Sequence, residues 1–343
     1  MSISIRYISS EESGAWDQLI NSSPQGSIFL LNDCLSVYVE NDPELHLFRL
    51  GYFDDHNNLL GGQALIHKKK AGIVRVQTLV HTWSYLDTPI VAGHIIQGSQ
   101  EYYDIVYALA HKVRKSFLYY KVFCHPSIQD VRPLLQNQWS AEPEYAHIWD
   151  LQNPEDLLTE LKKKKRFRQS NAIFQSLQFS SEKKGEIIEE FIPLYKKTAE
   201  QIGCKLSKSW ERIFRALVDR MSDRNAIRFF TCRRTSGELL GVTTYVLNQI
   251  QNTAYGWQLA HIPLHGEKDF VSALYLYAIK TLSTEASSID IAEGIRPTLY
   301  YFKDSLGTRS TPLFSVETPN ANLWKNLITL ARRAKQNVGY HSH

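Results

Sequence analysis

Alternating apolar and polar positions predict two hairpins of the same form in this chain. The segments 47–66 and 226–247 each contain two alternating runs on either side of a polar turn, which is the pattern of a β-hairpin. The second strand of each hairpin begins with Leu-Leu-Gly, at 59–61 and again at 239–241. The same local unit therefore occurs twice.

The elements predicted after each hairpin follow one order: strand, helix, strand, short helix and strand. In the first half they are predicted near 73–79, 99–115, 117–123, 127–137 and 145–150. In the second half they are predicted near 252–260, 268–285, 288–292, 297–306 and 312–316. The shared order indicates a tandem duplication of an α/β (α+β) unit, with one domain over 1–152 and a second over 153–343.

Further helices are predicted outside the repeated part. Asn153 as an N-cap and Pro154 at the first helical position predict a helix that begins at 154 and runs through the basic stretch that follows. A helix over 185–202 contains Pro193, where a kink or break is expected because an interior proline costs about 3 kcal/mol. Two more helices are predicted, one containing Trp210 and one starting at Asn320.

Length and composition narrow the class of protein. The 343 residues are enough for two domains, and the net charge of +4 is too small to indicate a nucleic-acid-binding protein by itself. The four cysteines have no metal-ligand spacing, so neither a zinc site nor a disulfide framework is expected. Without an apolar leader or a bilayer-length apolar run, we expect a cytoplasmic protein that does not insert into a membrane.

The most highly charged stretch is LKKKKRFRQS, at 161–170. On a continuous helix from 154, one stripe would read Leu158, Leu161, Lys165, Arg168, Ala172, so an apolar face would become basic midway. Arg166 and Arg168 are therefore candidates for binding a phosphate or carboxylate with two hydrogen bonds. The alternative is a solvated helix face, which is what most lysine runs form.

Five segments, taken in order, resemble the FemAB-type branch of the GNAT acyltransferases. They are SSPQGSIFLLNDCL (22–35), LKKKKRFRQSNAIFQ (161–175), FIPLYKKTAEQIG (191–203), GELLGVTTY (237–245) and DIAEGIRPTLYYFKDSLGTRSTPL (290–313). Together they extend over most of the chain. The resemblance implies two tandem GNAT-like domains, each a mixed and mostly antiparallel sheet flanked by helices.

The resemblance also implies acyl or aminoacyl transfer to an amine, with either aminoacyl-tRNA or acyl-CoA as the donor and no tightly bound cofactor. The glycine-rich loop that holds coenzyme A phosphates in GNAT enzymes is not recognisable, and HIPLHGEKD (261–269) has one glycine at the corresponding place. The segment TWSYLDTPIV (82–91) lacks the family's usual Gly-Pro. The acceptor can therefore differ from that of the peptidoglycan enzymes.

Amine acylation needs a neutral amine next to an activated carbonyl, and a positive or hydrogen-bond-donating group for the oxyanion. By resemblance, Lys303 is the lysine of the family's Phe-Lys pair near the transferred group; the alternative is an exposed helical lysine. Asp290 and Glu293 end the strand before that helix, where a carboxylate could accept the amine's proton. Their alternative is a cap or a structural ion pair.

The remaining candidates would bind substrate. Tyr255 and Trp257 point to one face of a predicted strand, where they would wall an acceptor pocket or pack in the core. Arg296 precedes the short helix and is a further substrate-binding candidate. Cys124 and His125 are adjacent, so on a strand they would point to opposite faces, and they are not expected to form a catalytic pair. No metal ligands are expected.

Three functions are consistent with the sequence. The favoured one is a FemAB-like acyl- or aminoacyl-transferase acting on an amine of a small-molecule or nucleotide-sugar-linked acceptor, in cell-wall or polysaccharide synthesis, with tRNA as a candidate partner. The second is an acyl-CoA-dependent N-acetyl- or acyltransferase for polysaccharide or lipid synthesis. The third is a non-catalytic module that binds RNA or a nucleotide through the basic stretch.

Overall fold

The computed structural model describes residues 4–70, 74–77, 85–168, 170–183, 185–262, 270–293 and 297–319. Over these ranges the chain forms a mixed α/β structure with two sheets flanked by helices, as the sequence predicts. None of the helices in these ranges is both long and apolar enough to cross a membrane. The helix predicted from Asn320 lies outside the described residues.

The first unit contains the elements predicted from the sequence together with further strands and helices that were not predicted. Its elements are β1 (Ser4–Tyr7), α1 (Ser13–Ser22), α2 (Asn32–Asn41), β2 (His46–Phe53), β3 (Leu59–Lys70), β4 (Val74–Gln77), β5 (Ile90–Val91), α3 (Gln100–Ser116), β6 (Lys121–Phe123), α4 (Arg132–Gln136) and β7 (Ser140–Asp150). Helix α3 begins where the Ser99 hydroxyl accepts a hydrogen bond from the Tyr102 backbone amide at 3.2 Å, as an N-cap does.

The second unit repeats this order after two connecting helices. Its elements are α5 (Pro154–Lys163), α6 (Ser170–Ser176), β8 (Leu177–Glu182), α7 (Ile187–Gln201), α8 (Trp210–Asp223), β9 (Ile227–Arg234), β10 (Leu239–Asn248), β11 (Thr253–His261), α9 (Phe270–Leu282), β12 (Ser288–Glu293), α10 (Pro297–Ser305) and β13 (Arg309–Glu317). The two predicted hairpins are present as β2–β3 and β9–β10.

The repeated Leu-Leu-Gly triplets have a common physical cause. A Cβ atom on Gly61 would stand 2.4 Å from Ile105 Cγ2 of α3, and one on Gly241 would stand 2.7 Å from Phe270 Cε2 of α9. In both units the helix after the hairpin packs so closely on the second hairpin strand that only glycine fits. The repeat in sequence therefore reflects the same helix-on-sheet packing in both units.

The last strands of the two units lie side by side in the second sheet, and each pairs with a strand of the other unit. The first sheet has the order β1-β2-β3-β4, with β5 also paired to β3, and the second has the order β6-β13-β7-β12-β11-β10-β9-β8. Strand β7 of the first unit thus lies between β12 and β13, and β13 pairs with β6 of the first unit. The domain boundary predicted after residue 152 stays a prediction, because β7 is hydrogen-bonded to the second unit on both sides.

Apolar residues cover both faces of the second sheet. One core cluster joins the first unit to α7 and α8, and the other lies between the sheet and α9, α5 and α10. Trp149 belongs to the first unit by sequence, yet its ring lies in the second cluster, 5.5 Å from the Tyr275 ring. Its indole nitrogen donates to the carbonyl of Leu306 at 3.3 Å. Side chains of both units therefore pack together in the second core cluster.

The structure corrects the predicted course of one helix and tests part of the prediction for another. Helix α5 ends at Lys163, because Lys164 has extended backbone and a short 3₁₀ turn, Lys165–Phe167, follows. This change of direction buries Phe167 and leaves Lys165 and Arg168 exposed, whereas a continuous helix would have turned two charged side chains toward the core. Of the kink or break expected at Pro193, the break is absent, because helix α7 runs without interruption from Ile187 to Gln201.

The strand exchange makes a prediction about cleavage of the chain. If a protease site is inserted between the exposed residues Gln152 and Asn153 and then cut, the two pieces should co-elute in gel filtration and melt in one transition, because β7 remains hydrogen-bonded between β12 and β13. An uncut sample carrying the same insertion is the control. Separation of the pieces under native conditions would contradict the exchange.

Candidate active site

The candidate site begins where two parallel strands part. Strands β11 and β12 pair from Thr253 and Ser288 up to Tyr255 and Asp290, and both strands continue beyond that point without pairing to each other. Gly256 is the next residue of β11, where an added Cβ would stand 3.1 Å from Ile291 Cγ2. Ligands of α/β sheets bind at the carboxyl ends of parallel strands. The parting of β11 and β12 is therefore the place to look for the reaction centre.

Buried polar groups from both units meet on one face of this parting. Tyr85 donates its hydroxyl to Asp290 Oδ2 at 3.2 Å, and Tyr255 donates to Gln251 Oε1 at 2.8 Å. His125 Nε2 lies 3.5 Å from the Tyr255 hydroxyl, and the Tyr85 ring packs edge-on to the His125 ring at 5.4 Å. The Asp290 carboxylate of the second unit is thus contacted by a side chain of the first, Tyr85.

Burial keeps two of these groups neutral at neutral pH. It lowers the pKa of His125 to about 4, against a smaller opposing effect of a hydrogen bond with Gln251. It also raises the pKa of Tyr255, and the charge of Asp290 adds to that shift. The site therefore contains an uncharged imidazole and an uncharged phenol beside Asp290.

Trp257 points to the same face as Tyr255, as the alternation predicts. Its ring stacks on Phe214 at 4.9 Å and meets the edge of Phe29 at 5.8 Å, and only 8% of the residue is exposed. These contacts fit the core-packing alternative better than a pocket wall. The substrate-binding roles of Tyr255 and Trp257 stay predictions.

Lys303 approaches the same place from the other face of the sheet. Phe302 and Leu306 pack α10 on the second core cluster, whereas Asp290 faces the first. The Lys303 ammonium donates to the carbonyl of Ile291, the first β12 residue beyond the segment paired with β11. Lys303 and Asp290 are therefore on opposite faces of β12. The Lys303 ammonium contacts this strand at Ile291, the residue after Asp290.

The basic corner, defined as Lys162–Lys165 and Arg168, lies beside α10. A Cβ on Gly307 would stand 2.7 Å from Lys164 Cε, so the Lys164 side chain packs against the turn that ends α10. Arg168 is exposed, and its Nε donates to the Lys163 carbonyl at 3.4 Å. The structure thus brings the basic corner and Lys303 to one side of the sheet.

Three predicted site residues lie wholly or partly outside the described part of the chain. Arg296 is outside it, as are the side chains of Arg166 and Glu293, although the backbone of Glu293 pairs with Ala146 of β7. Most of the segment compared with the coenzyme A loop, 263–269, is also outside it. No group of three or more His, Cys, Asp or Glu side chains within the described ranges could hold a metal ion.

Sequence reasoning missed Tyr85 and the part that His125 takes in this network. Tyr85 lies in the segment that departs from the family pattern, which was its only signal in the sequence. His125 was considered only as a partner of Cys124, whose thiol is buried with its pKa raised to about 12, so the thiol is inert. Both residues come from the first unit, and no local pattern predicts contact with Asp290.

Comparison with solved structures finds the same fold elsewhere. FemX has a TM-score of 0.66 and 12% identity, covering 94% of this chain and 99% of its own. A tandem GNAT protein from the clavulanic acid biosynthesis pathway has a TM-score of 0.57 and 12% identity, covering 92% and 98%. L-PGS from Bacillus licheniformis has a TM-score of 0.54 and 10% identity, covering 94% and 96%.

These similarities show a FemAB-like GNAT fold with two tandem GNAT-like parts, in agreement with the resemblance found in the sequence. The sequence matches no family model. It also matches no curated protein sequence. The similarity therefore concerns the architecture of the chain.

The buried imidazole predicts a pH-dependent stability. The pKa of His125 falls from 6.5 in an exposed state to about 4 in the fold, so the unfolded chain binds the extra proton between these values. The free energy of unfolding should therefore fall as the pH drops from 6.5 to 4, with His125 contributing about 3 kcal/mol at about 1.4 kcal/mol per pKa unit. Urea unfolding of wild type and His125→Gln at several pH values measures this contribution.

The control is His56→Gln, the same substitution at an exposed histidine. Buried His67, whose pKa is also about 4, should keep part of the slope in His125→Gln. Identical slopes in wild type and His125→Gln would show that His125 is not held neutral by burial.

Proposed function

We propose that this chain is a transferase that moves an acyl or aminoacyl group to an amine acceptor. The observation that carries the proposal is the Lys303 ammonium at Ile291, directly beyond the last paired residues of the parting strands β11 and β12. FemX and the tandem GNAT protein, which have the same fold, support this reaction class.

In the proposed reaction the acceptor nitrogen attacks the carbonyl carbon of the donor. A C–N bond forms, and the C–O bond of an aminoacyl ester or the C–S bond of a thioester breaks. The negative charge that develops on the carbonyl oxygen is stabilised by the Lys303 ammonium, which would exchange its contact with the Ile291 carbonyl for the oxyanion. The proton lost by the amine ends on the leaving oxygen or sulfur.

Asp290 is the proposed acceptor for that proton on its way to the leaving group. Its carboxylate is buried and receives a hydrogen bond from Tyr85. Because Asp290 and Lys303 lie on opposite faces of β12, the reacting carbonyl would have to lie between β11 and β12, where the strands part. Tyr255 and His125 would line the Asp290 side of that space as uncharged polar groups, without competing for the proton.

The donor is proposed to carry phosphate groups. The basic corner is exposed and lies against the end of the helix that carries Lys303, so a bound polyanion would have its activated end near the lysine. Aminoacyl-tRNA and acyl-CoA both meet this requirement. The acceptor is proposed to be a small-molecule or nucleotide-sugar-linked amine, and the cytoplasm is the proposed location.

The basic corner also favours a second candidate function, a non-catalytic module that binds RNA or a nucleotide. A thermal-shift screen against acyl-CoAs, UDP-sugars and tRNA separates the candidates. Stabilisation by a donor together with an amine-containing acceptor supports the transferase. Stabilisation by RNA alone, without product formation from aminoacyl-tRNA, would support the binding module instead.

Removing charge from the basic corner should weaken polyanion binding. In Lys165→Gln with Arg168→Gln, the slope of log affinity for tRNA against log salt should fall by about 1.4 to 1.8, since each of the two lost phosphate contacts accounts for about 0.7 to 0.9. Both side chains are exposed, so the melting temperature should change by only a few degrees. Filter binding at several salt concentrations measures the slope.

The matched control is Lys205→Gln with Lys208→Gln, which removes two exposed charges from the loop between α7 and α8. That loop belongs to the other side of the second sheet, so the control should bind tRNA as the wild type does. Equal losses in both double variants would show that the binding is not localised, and no loss in either would identify the basic corner as a solvated surface.

Removing the Lys303 ammonium should slow the chemical step. Lys303→Ala is expected to lower kcat by about 10²–10³, the effect of losing one oxyanion donor, with acceptor KM nearly unchanged because the charge develops only in the transition state. Lys303→Arg should rescue poorly, since its guanidinium has a different shape. The matched control is Lys280→Ala, at an exposed position of α9, which should turn over as the wild type does. Full turnover by Lys303→Ala with a verified donor and acceptor would show that Lys303 is not catalytic.

A further inference from the structure

A buried histidine from the first unit lies at an irregularity of the strand that Lys303 contacts. His147 is fully buried on β7, the exchanged strand. In the ladder between β7 and β12, Ile148 pairs with Asp290 and Ala146 pairs with Glu293, so His147 alone stands opposite two residues of β12. Ile291 is one of these two, and β12 is therefore bulged where the Lys303 ammonium binds its carbonyl.

The same histidine is connected by hydrogen bonds to the backbone of Lys303. Its Nδ1 lies 3.0 Å from the Thr308 hydroxyl oxygen, and the Thr308 hydroxyl donates to the Lys303 carbonyl at 3.2 Å. Because the single hydroxyl proton of Thr308 is used toward Lys303, its oxygen can only accept from His147. Nδ1 therefore carries the proton, and the imidazole acts as a donor.

The backbone carbonyl and the side-chain ammonium of Lys303 are thus both bound close to His147. The carbonyl of Lys303 is bound through Thr308, and its ammonium is bound at the bulge that faces His147. Burial, and then the positive charge of Lys303, lower the pKa of His147, while Asp304 acts weakly in the opposite direction. The imidazole is therefore neutral at neutral pH and adds no second positive charge beside the lysine.

We infer that His147 is a positioning residue for Lys303: the strand that the first unit contributes to the second sheet fixes the proposed catalytic lysine through Thr308. This inference rests on the proposed function for the role of Lys303. It adds that the site of the second unit is incomplete without a side chain from the first. Loss of the Nδ1 donor should free the end of α10 and let the ammonium leave the Ile291 carbonyl.

The test measures the reactivity of the Lys303 amine and needs no substrate. The full-length protein is treated briefly with a limiting amount of an acetyl N-hydroxysuccinimide ester, and mass spectrometry gives the acetylation rate of Lys303 relative to that of exposed Lys280. His147→Leu and Thr308→Val should each raise this ratio at least threefold, because an amine released from its hydrogen bond reacts faster. The double variant should show no further increase, since both changes break the same chain of bonds.

Two conservative variants separate positioning from packing. His147→Asn places an amide donor near the position of Nδ1 and should keep the ratio within twofold of wild type. His147→Gln places its amide near the position of Nε2 and should behave as His147→Leu does. If the ratio is unchanged in both His147→Leu and Thr308→Val, whatever happens to the melting temperature, His147 does not position Lys303 and only packs in the core.

If His147→Leu does not fold, Thr308→Val decides, because Thr308 is partly exposed and the substitution preserves its shape. A threefold rise supports the inference, and an unchanged ratio overturns it. The outcome is independent of the Lys303→Ala turnover experiment. A lysine that is positioned by His147 but not needed for turnover would contradict the proposed function and leave the hydrogen-bond chain in place.

Discussion

The antiparallel ladder between β7 and β13 is the constraint on which the rest of the structure depends. It pairs Ile148 with Arg309 at one end and Ser140 with Glu317 at the other, and each strand is the last one of its own unit. Without it, β7 and β13 would each present an edge of unpaired backbone groups, which is costly in a buried sheet. The exchange therefore joins two units that the sequence describes as separate, and it brings Trp149 and His147 into the second unit.

The sequence predicted elements well where the signal is local. Both hairpins, α3, α9 and α10 follow from periodicity and turn residues, and Gly61 and Gly241 carry information because each is in contact with the helix that follows in its own unit. The partner of β7 could not be predicted in this way. A run such as 145–150 indicates a strand, but its alternation is the same whether it pairs within its own unit or with the other one.

The basic stretch shows a different limit of sequence reasoning. Helical periodicity alone extended α5 through Lys165 and Arg168, whereas the chain turns at Lys164 so that Phe167 is buried. The free energy of burying one aromatic ring, together with the cost of desolvating two charges, outweighs the hydrogen bonds of another helical turn. The predicted basic surface is present, but it is a corner beside α10 instead of a helical stripe.

The candidate site contains residues that the sequence could predict and residues that it could not, because some lie within one unit and others come from the other unit. Lys303, Asp290 and Tyr255 are placed by β11, β12 and α10, all within one unit, and the sequence could name them. Tyr85, His125 and His147 reach them only through contacts between units, so they were missed. In the proposed reaction the basic corner and Lys303 serve one face of the sheet and Asp290 serves the other. Two substrates approaching from opposite faces would meet where β11 and β12 part. Strand β7, which the first unit contributes, pairs with β12 on the side away from β11.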